Sequence, residues 1–291
     1  MDAAARTPPP TVFSEDGPLG RWLCADWQPP SLAAHLSRIW YFDGVLTLAR
    51  ERVFPDGAVE LIVHLGRRYR SVLDERHATG FPALCLAGLR LSAELIEAPQ
   101  GRTTVLGVRL TPLGAHALLR GAQTEACGRT LDLEEALGAA ARELADAVDD
   151  ETDPAARVLA AGRWVATRLR DAPPPDPLIA WICRRITETQ GRIAMRTLCE
   201  QAGVSPVRLP ARFRSQVGVT PKHFARMARF RHALARLGGD DPPPLAELAL
   251  DAGYADQPHF QAEFRGFAGL TPGEYLRARR FPNTVSLAEV A

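Results

Sequence analysis

The chain has 291 residues, 46% of them hydrophobic and 24% charged, with a formal net charge of +1. That length allows two domains with sizeable cores, and that composition excludes a disordered, collagenous or disulfide-dense chain. Cys24, Cys85, Cys127, Cys183 and Cys199 are odd in number and scattered, with no C-x-x-C pair, which argues for reduced thiols and against a disulfide framework or a metal site. No apolar run approaches a membrane span, and the start from Met1 to Pro10 is proline-rich and apolar-poor. Neither membrane insertion nor a secretory leader is therefore expected, and the expected compartment is the cytoplasm.

Up to about residue 112 the pattern predicts strands. Pro55-Asp56-Gly57 reads as a turn, after which Val59, Leu61, Val63 and Leu65 alternate with Glu60, Ile62 and His64, the period of a half-buried strand. Leu91 to Ala98 and Thr103 to Leu110 flank Pro99-Gln100-Gly101 and predict a hairpin. With Tyr69 to Leu73 and Phe81 to Ala87 as further strands, an antiparallel barrel or sandwich is the economical arrangement. Thr111-Pro112 then opens a helical region, in which Leu131 to Val148 and Pro154 to Leu169 predict helices, the second capped by Asp153. Asp171-Ala-Pro-Pro-Pro-Asp-Pro177 cannot continue a helix and predicts a stiff connector. The expected domain boundary lies there, between residues 1–172 and an all-helical domain at 176–281, with 282–291 as a tail. The fold class is α+β.

Beyond the connector one pattern is written twice. Leu198-Cys199-x-x-Ala202-Gly203 is followed by Ser205, Leu209, Phe213, Gly218, Thr220-Pro221 and Phe224. Leu248-Ala249-x-x-Ala252-Gly253 is followed by Asp256, Phe260, Phe264, Gly269, Thr271-Pro272 and Tyr275. Gly203 and Gly253 suit the left-handed residue that ends a helix, and Ser205 and Asp256 suit the cap of the next. Leu209/Phe213 and Phe260/Phe264 each lie four apart on one helical face, leaving the opposite face open. Each copy is thus a helix-turn-helix, and the interior helix His223 to Leu237, followed by the proline run Gly238 to Pro244, separates them.

This ordered pair, each copy ending in Gly-x-Thr-Pro, resembles the C-terminal domain of AraC/XylS-type bacterial transcription regulators over roughly Leu178 to Arg280. The resemblance implies that each second helix enters one of two successive major grooves, with the interior helix setting their separation. Phe54-Pro-Asp-Gly-Ala-Val-Glu-Leu-Ile-Val-His-Leu-Gly66 and Gly107-Val-Arg-Leu-Thr-Pro-x-Gly114 also resemble the N-terminal domain of one subgroup, which implies a barrel for sensing or dimerisation. Double-stranded DNA is the implied partner, and a small-molecule effector, a second copy of the chain and RNA polymerase are the further partners to test.

By position, the family's base-facing residues correspond to Val207, Pro210 and Ala211 in the first copy and to Gln257, Pro258, Gln261 and Ala262 in the second. Arg208, Arg212, Arg214, His259 and Arg265 accompany them as DNA-contact candidates. The family commonly carries Arg two residues before the helix-closing Phe, where this chain has Ala211 and Ala262. Pro210 is expected inside the first recognition helix, where it would remove a backbone bond and bend it. Gln257 and Gln261 can make bidentate contacts that suit adenine, whereas Val207 and Ala211 offer only apolar contact. Charge is split as well: Leu178 to Leu237 holds twelve basic residues against two acidic ones, a net +10, and Gly238 to Tyr275 one against seven, a net −6. The first copy and interior helix are therefore expected to anchor on the phosphates.

Catalysis has no positive signal. His35, His64, His77 and His116 form no H-x-H or H-E-x-x-H spacing, and Cys85 has no basic neighbour in sequence to activate it. No cofactor, metal or enzymatic activity is expected. Two other readings stay open: an interaction protein of the same fold with weakened DNA binding, and an enzyme with its site in the barrel.

Overall fold

The computed structural model describes residues 8–47, 50–73 and 77–279, and the backbone of 286–289. Its strands are β1 (Thr11–Gly17), β2 (Gly20–Trp27), β3 (Leu36–Leu46), β4 (Arg50–Val53), β5 (Val59–His64), β6 (Arg70–Val72), β7 (Ala78–Gly80), β8 (Leu84–Ala87), β9 (Glu94–Glu97), β10 (Arg102–Leu110), β11 (Thr130–Asp132) and β12 (Ser286–Glu289). They pair antiparallel in two sheets, ordered β1-β2-β3-β10-β5-β8-β11 and β12-β4-β9-β6-β7. The expected tail, 282–291, lies outside the described residues apart from β12.

The alternation in β5 decides how the larger sheet is used. Val59, Leu61 and Val63 are buried, while Glu60, Ile62 and His64 line a cavity of about 260 Å³ on the other face. Helices α1 (Pro112–Leu119), α2 (Ala122–Glu125), α3 (Leu133–Leu137), α4 (Ala139–Asp149) and α5 (Pro154–Arg170) follow, and α1, α3 and α5 pack on strands of that sheet. Thr111 and Asp153 cap α1 and α5 as expected, accepting from Gly114 N at 3.0 Å and Ala156 N at 2.8 Å.

Two expectations are corrected. The segments flanking Pro99-Gln100-Gly101 are not a hairpin, because β9 pairs with β4 and β6 while β10 pairs with β3 and β5. The turn instead carries the chain from one sheet to the other; alternation identifies a strand but does not choose its partner. Nor does one helix span Leu131 to Val148. Residues 130–132 pair with β8, and Gly138 at φ 57° separates α3 from α4, a conformation that costs glycine little and other residues much more.

The remaining helices are α6 (Pro177–Glu188), α7 (Met195–Ala202), α8 (Leu209–Val217), α9 (Pro221–Gly238), α10 (Leu245–Asp251), α11 (Gln257–Ala268) and α12 (Pro272–Ala278). Phe213, Phe230, Phe260, Phe264 and Tyr275 form their fully buried centre. The barrel's Phe54 joins it: its ring lies 6.3 Å from Phe230 and 6.0 Å from Tyr275, edge to face. Pro55, Asp56 and Gly57 are buried behind it, with the Gly57 Cα beside Met227, Arg231 and Phe224. One contiguous apolar core therefore crosses the expected boundary.

Candidate nucleic-acid interface

Each repeat folds as helix, left-handed glycine, helix. Gly203 (φ 63°) and Gly253 (φ 79°) make the turns, and Leu198 and Leu248 of the first helices are fully buried. In the second copy Asp256 caps α11 by accepting from His259 N at 2.7 Å. Phe260, Glu263, Phe264 and Phe267 point inward, whereas Pro258, His259, Ala262 and Arg265 are exposed and Gln257 and Gln261 half-buried. In the first copy Leu209, Phe213 and Val217 point inward, and Val207, Arg208, Ala211, Arg212, Arg214 and Ser215 are exposed, Val207 to 84%. With Pro210 half-buried, all twelve candidate contact residues thus keep surface on the recognition helices or the turn before α8.

The two copies start differently. Ser205 does not cap α8; its hydroxyl accepts from Val207 N at 3.3 Å within a turn, and α8 begins four residues later with Arg208 as its uncapped N-terminal neighbour. Pro210 therefore occupies the first turn of α8 and not its interior. The lost N–H is one that a helix start leaves unpaired anyway, so the expected bend and its cost fall away. The consequence is length: α8 has 9 residues and α11 has 12.

Ion pairs redraw the charge map. Arg212 donates to Asp176 Oδ2, with its nitrogens at 2.6 and 2.7 Å, and Gln216 Nε2 reaches the same oxygen at 3.2 Å. Burial raises the Asp176 carboxyl, but the bonds from Arg212, Leu178 N and Gln216 outweigh it and hold the group below the usual carboxylate range. Arg226 and Arg229 of α9 grip Glu263 at 2.8 and 3.3 Å, and that carboxylate is only 6% exposed. Arg184 and Arg185 face Glu188, and Arg196 faces Glu200. Six of the twelve basic residues between 178 and 237 are thereby held in ion pairs, and two of the carboxylates that hold them, Asp176 and Glu263, lie outside that span. Among the described residues Arg208, Arg214 and Lys222 carry no ion pair, which leaves them as the free cations beside the first motif.

The ion pairs of Glu263 and Asp176 and the packing of the Phe54 turn against the helices were not legible in the sequence. A signal for Glu263 existed in the repeat itself, since it occupies the position that Arg212 holds in the first copy. In the barrel, His64 Nδ1 lies 3.1 Å from Pro82 O and 3.9 Å from Cys85 Sγ. Burial pushes the Cys85 thiol up to about 12, the opposite of an activated nucleophile. Among the described residues no group of His, Cys, Asp or Glu is arranged to hold a metal ion, and no helix is long and apolar enough to cross a membrane.

A model of a helix-turn-helix domain matches residues 198–278, and one of a domain of unknown function (DUF6597) matches residues 28–132. Similar curated proteins include the HTH-type transcriptional activator RhaR of Klebsiella pneumoniae, 30% identical over 105 residues, and that of Yersinia pseudotuberculosis, 31% identical over 81 residues. The first match covers 36% of either protein and the second 28%, so the chain spans about a third of the length of these relatives. Among solved structures, the C-terminal domain of AraT, a response regulator from Geobacillus stearothermophilus, is 25% identical over 37% of this chain and 90% of its own, with a TM-score of 0.34. Apo ToxT from Vibrio cholerae is 14% identical over 82% of this chain and 96% of its own, with a TM-score of 0.45. The doubled motif, its folded geometry and the match over 198–278 show a helix-turn-helix domain in the C-terminal part of the chain, similar to that of AraC/XylS-type regulators.

Proposed function

We propose that this chain is a sequence-specific DNA-binding transcription regulator, working in the cytoplasm and not as an enzyme. One observation carries the reading: two recognition helices are held in a single core, each with its apolar face buried and its polar face open. A helix so held can enter a major groove, and two on one frame can read two successive grooves. Arg208, Arg214 and Lys222 supply the phosphate hold, and Gln257 and Gln261 the base contacts. The test is a gel shift of the full chain on the DNA upstream of its own coding sequence at several salt concentrations. Salt-sensitive binding that survives excess unrelated duplex supports the reading, and its absence at low salt removes it.

Residues 1–172 are read as the regulatory part and 176–281 as the DNA-binding part. The barrel cavity supports a small-molecule effector. Trp40, Phe42, Tyr69 and Phe81 wall it, and Trp40 Nε1 donates to Glu60 at 3.3 Å. Its arginines already face carboxylates: Arg38 with Asp26, Arg90 with Glu94, and Arg109 with Asp56 and Glu60. An uncharged ligand suits such a balanced lining, and it would raise the melting temperature on binding. A second copy and RNA polymerase are the partners proposed for the assembled regulator; sedimentation and a polymerase pull-down on promoter DNA test them.

A further inference from the structure

We propose that Arg212 and Glu263 are positioning residues that set the roll of the two recognition helices, and that Arg212 is not a phosphate anchor; this rests on the DNA-binding reading above. Counted from Ser205 and Asp256, both occupy the same place, seven residues on and directly before Phe213 and Phe264. Each reaches back to the helix that precedes its own motif. Arg212 bonds Asp176 at the start of α6, and Glu263 bonds Arg226 and Arg229 in the middle of α9.

The charges at this shared position are opposite, yet the connection is the same. A carboxylate repels phosphate, so the position occupied by Glu263 is not a phosphate-contact position, and its counterpart in the first motif, although half its side chain stays exposed, is likewise bonded to the helix that precedes its motif. The physical need is directional. Phe213 and Phe264 are fully buried and fix how deep each helix lies, but apolar contact is non-directional and leaves rotation about the helix axis weakly specified. A charge-assisted hydrogen bond from the adjacent residue has a preferred geometry and supplies that missing restraint. Groove contacts follow from it, because a rotated helix presents different side chains to the same base edges. Arg214 and Arg265, two residues further on in each motif, are exposed and occupy the equivalent outward position. They are the phosphate contacts in the place where Arg212 was expected.

The full-length chain tests this by selection from a random duplex pool, combined with salt titrations of the selected DNA. Wild type is expected to select two boxes at a fixed separation. Arg212→Gln and Asp176→Asn are each expected to blur the first box while leaving the slope of log K against log salt unchanged, since Asn keeps the cap on Leu178 N but releases the arginine. Arg214→Ala is expected to keep both boxes and lower the slope by about 0.9. Glu263→Gln should blur the second box alone; if that variant does not fold, the less buried Asp176–Arg212 arm still decides the matter. The proposal is overturned if Arg212→Gln lowers the slope by about 0.9 while Asp176→Asn tightens binding, because the arginine would then be a phosphate contact competing with Asp176. Unchanged boxes in both variants of that arm overturn it too. A wild-type chain that selects no motif overturns the DNA-binding reading first, and is distinguishable from either result.

Discussion

Replacing Phe54 by Ala would show how far the barrel supports the helices beyond the connector. Phe54 is 1% exposed, and its ring meets Phe230 of α9 and Tyr275 of α12 edge to face. Truncating a buried phenylalanine costs about 3–5 kcal/mol, because the transfer energy and the residual cavity add; two aromatic pairs place this site toward the middle of that range or above. About 4 kcal/mol is a large part of the 5–15 kcal/mol that a folded domain usually has. With a urea m value of about 3 kcal/mol/M the unfolding midpoint should fall by about 1.3 M. Phe13→Ala is the control: Phe13 is 49% exposed on β1, so its loss should stay within about 0.5 kcal/mol. Equilibrium urea unfolding of wild type and both variants makes the measurement. A Phe54→Ala loss no larger than that of Phe13→Ala would refute the shared core. The same reasoning bears on the fragment 176–281, which should fold and bind duplex DNA with reduced stability, because Phe230 and Tyr275 lose the ring that covers them.

Gln261→Ala should relax preference at one base position under the second motif, where a mismatch costs about 1–3 kcal/mol, with little change in salt slope; a selected motif with most of its information under the first copy would contradict this. The Asp176 carboxyl is held below its ordinary value, so its contribution is present above pH 4 or so and fades as pH falls through the lower folded value. The stability gap between wild type and Asp176→Asn should therefore close only in strong acid, and a gap already closing at pH 5 to 6 would count against the Arg212 bond. Burial pushes the Cys85 and Cys183 thiols up to about 12 and Cys24 up to about 11. Alkylation of the native chain at pH 8 should leave these three largely unmodified, as intact-mass spectrometry would show, whereas rapid labelling of Cys85 would reopen a reactive site in the barrel.

The sequence by itself determined the local and repeated features of this protein. The doubled motif, its glycine turns, the Thr111, Asp153 and Asp256 caps and the inward pairs Leu209/Phe213 and Phe260/Phe264 depend on residues within a few turns of one another, and all are found where the spacing puts them. What depends on chain segments distant in sequence was decided only by the tertiary structure. The sequence marks 94–97 and 102–110 as strands, but their partners, β4 and β6 for the first and β3 and β5 for the second, lie distant in sequence and are chosen by the assembled sheets. The charge count from 178 to 237 cannot know that Glu263 lies 34 to 37 residues beyond Arg229 and Arg226 and bonds both. Pro210 reads as a break because a cap was assigned to Ser205 from residue type alone; the turn that delays α8 moves the proline into a tolerated position. Phe54 reads as a barrel residue, and only packing shows that its ring belongs equally to the core of the helices 170 residues and more away, because burial is a property of the assembled surface and not of the segment that supplies the side chain.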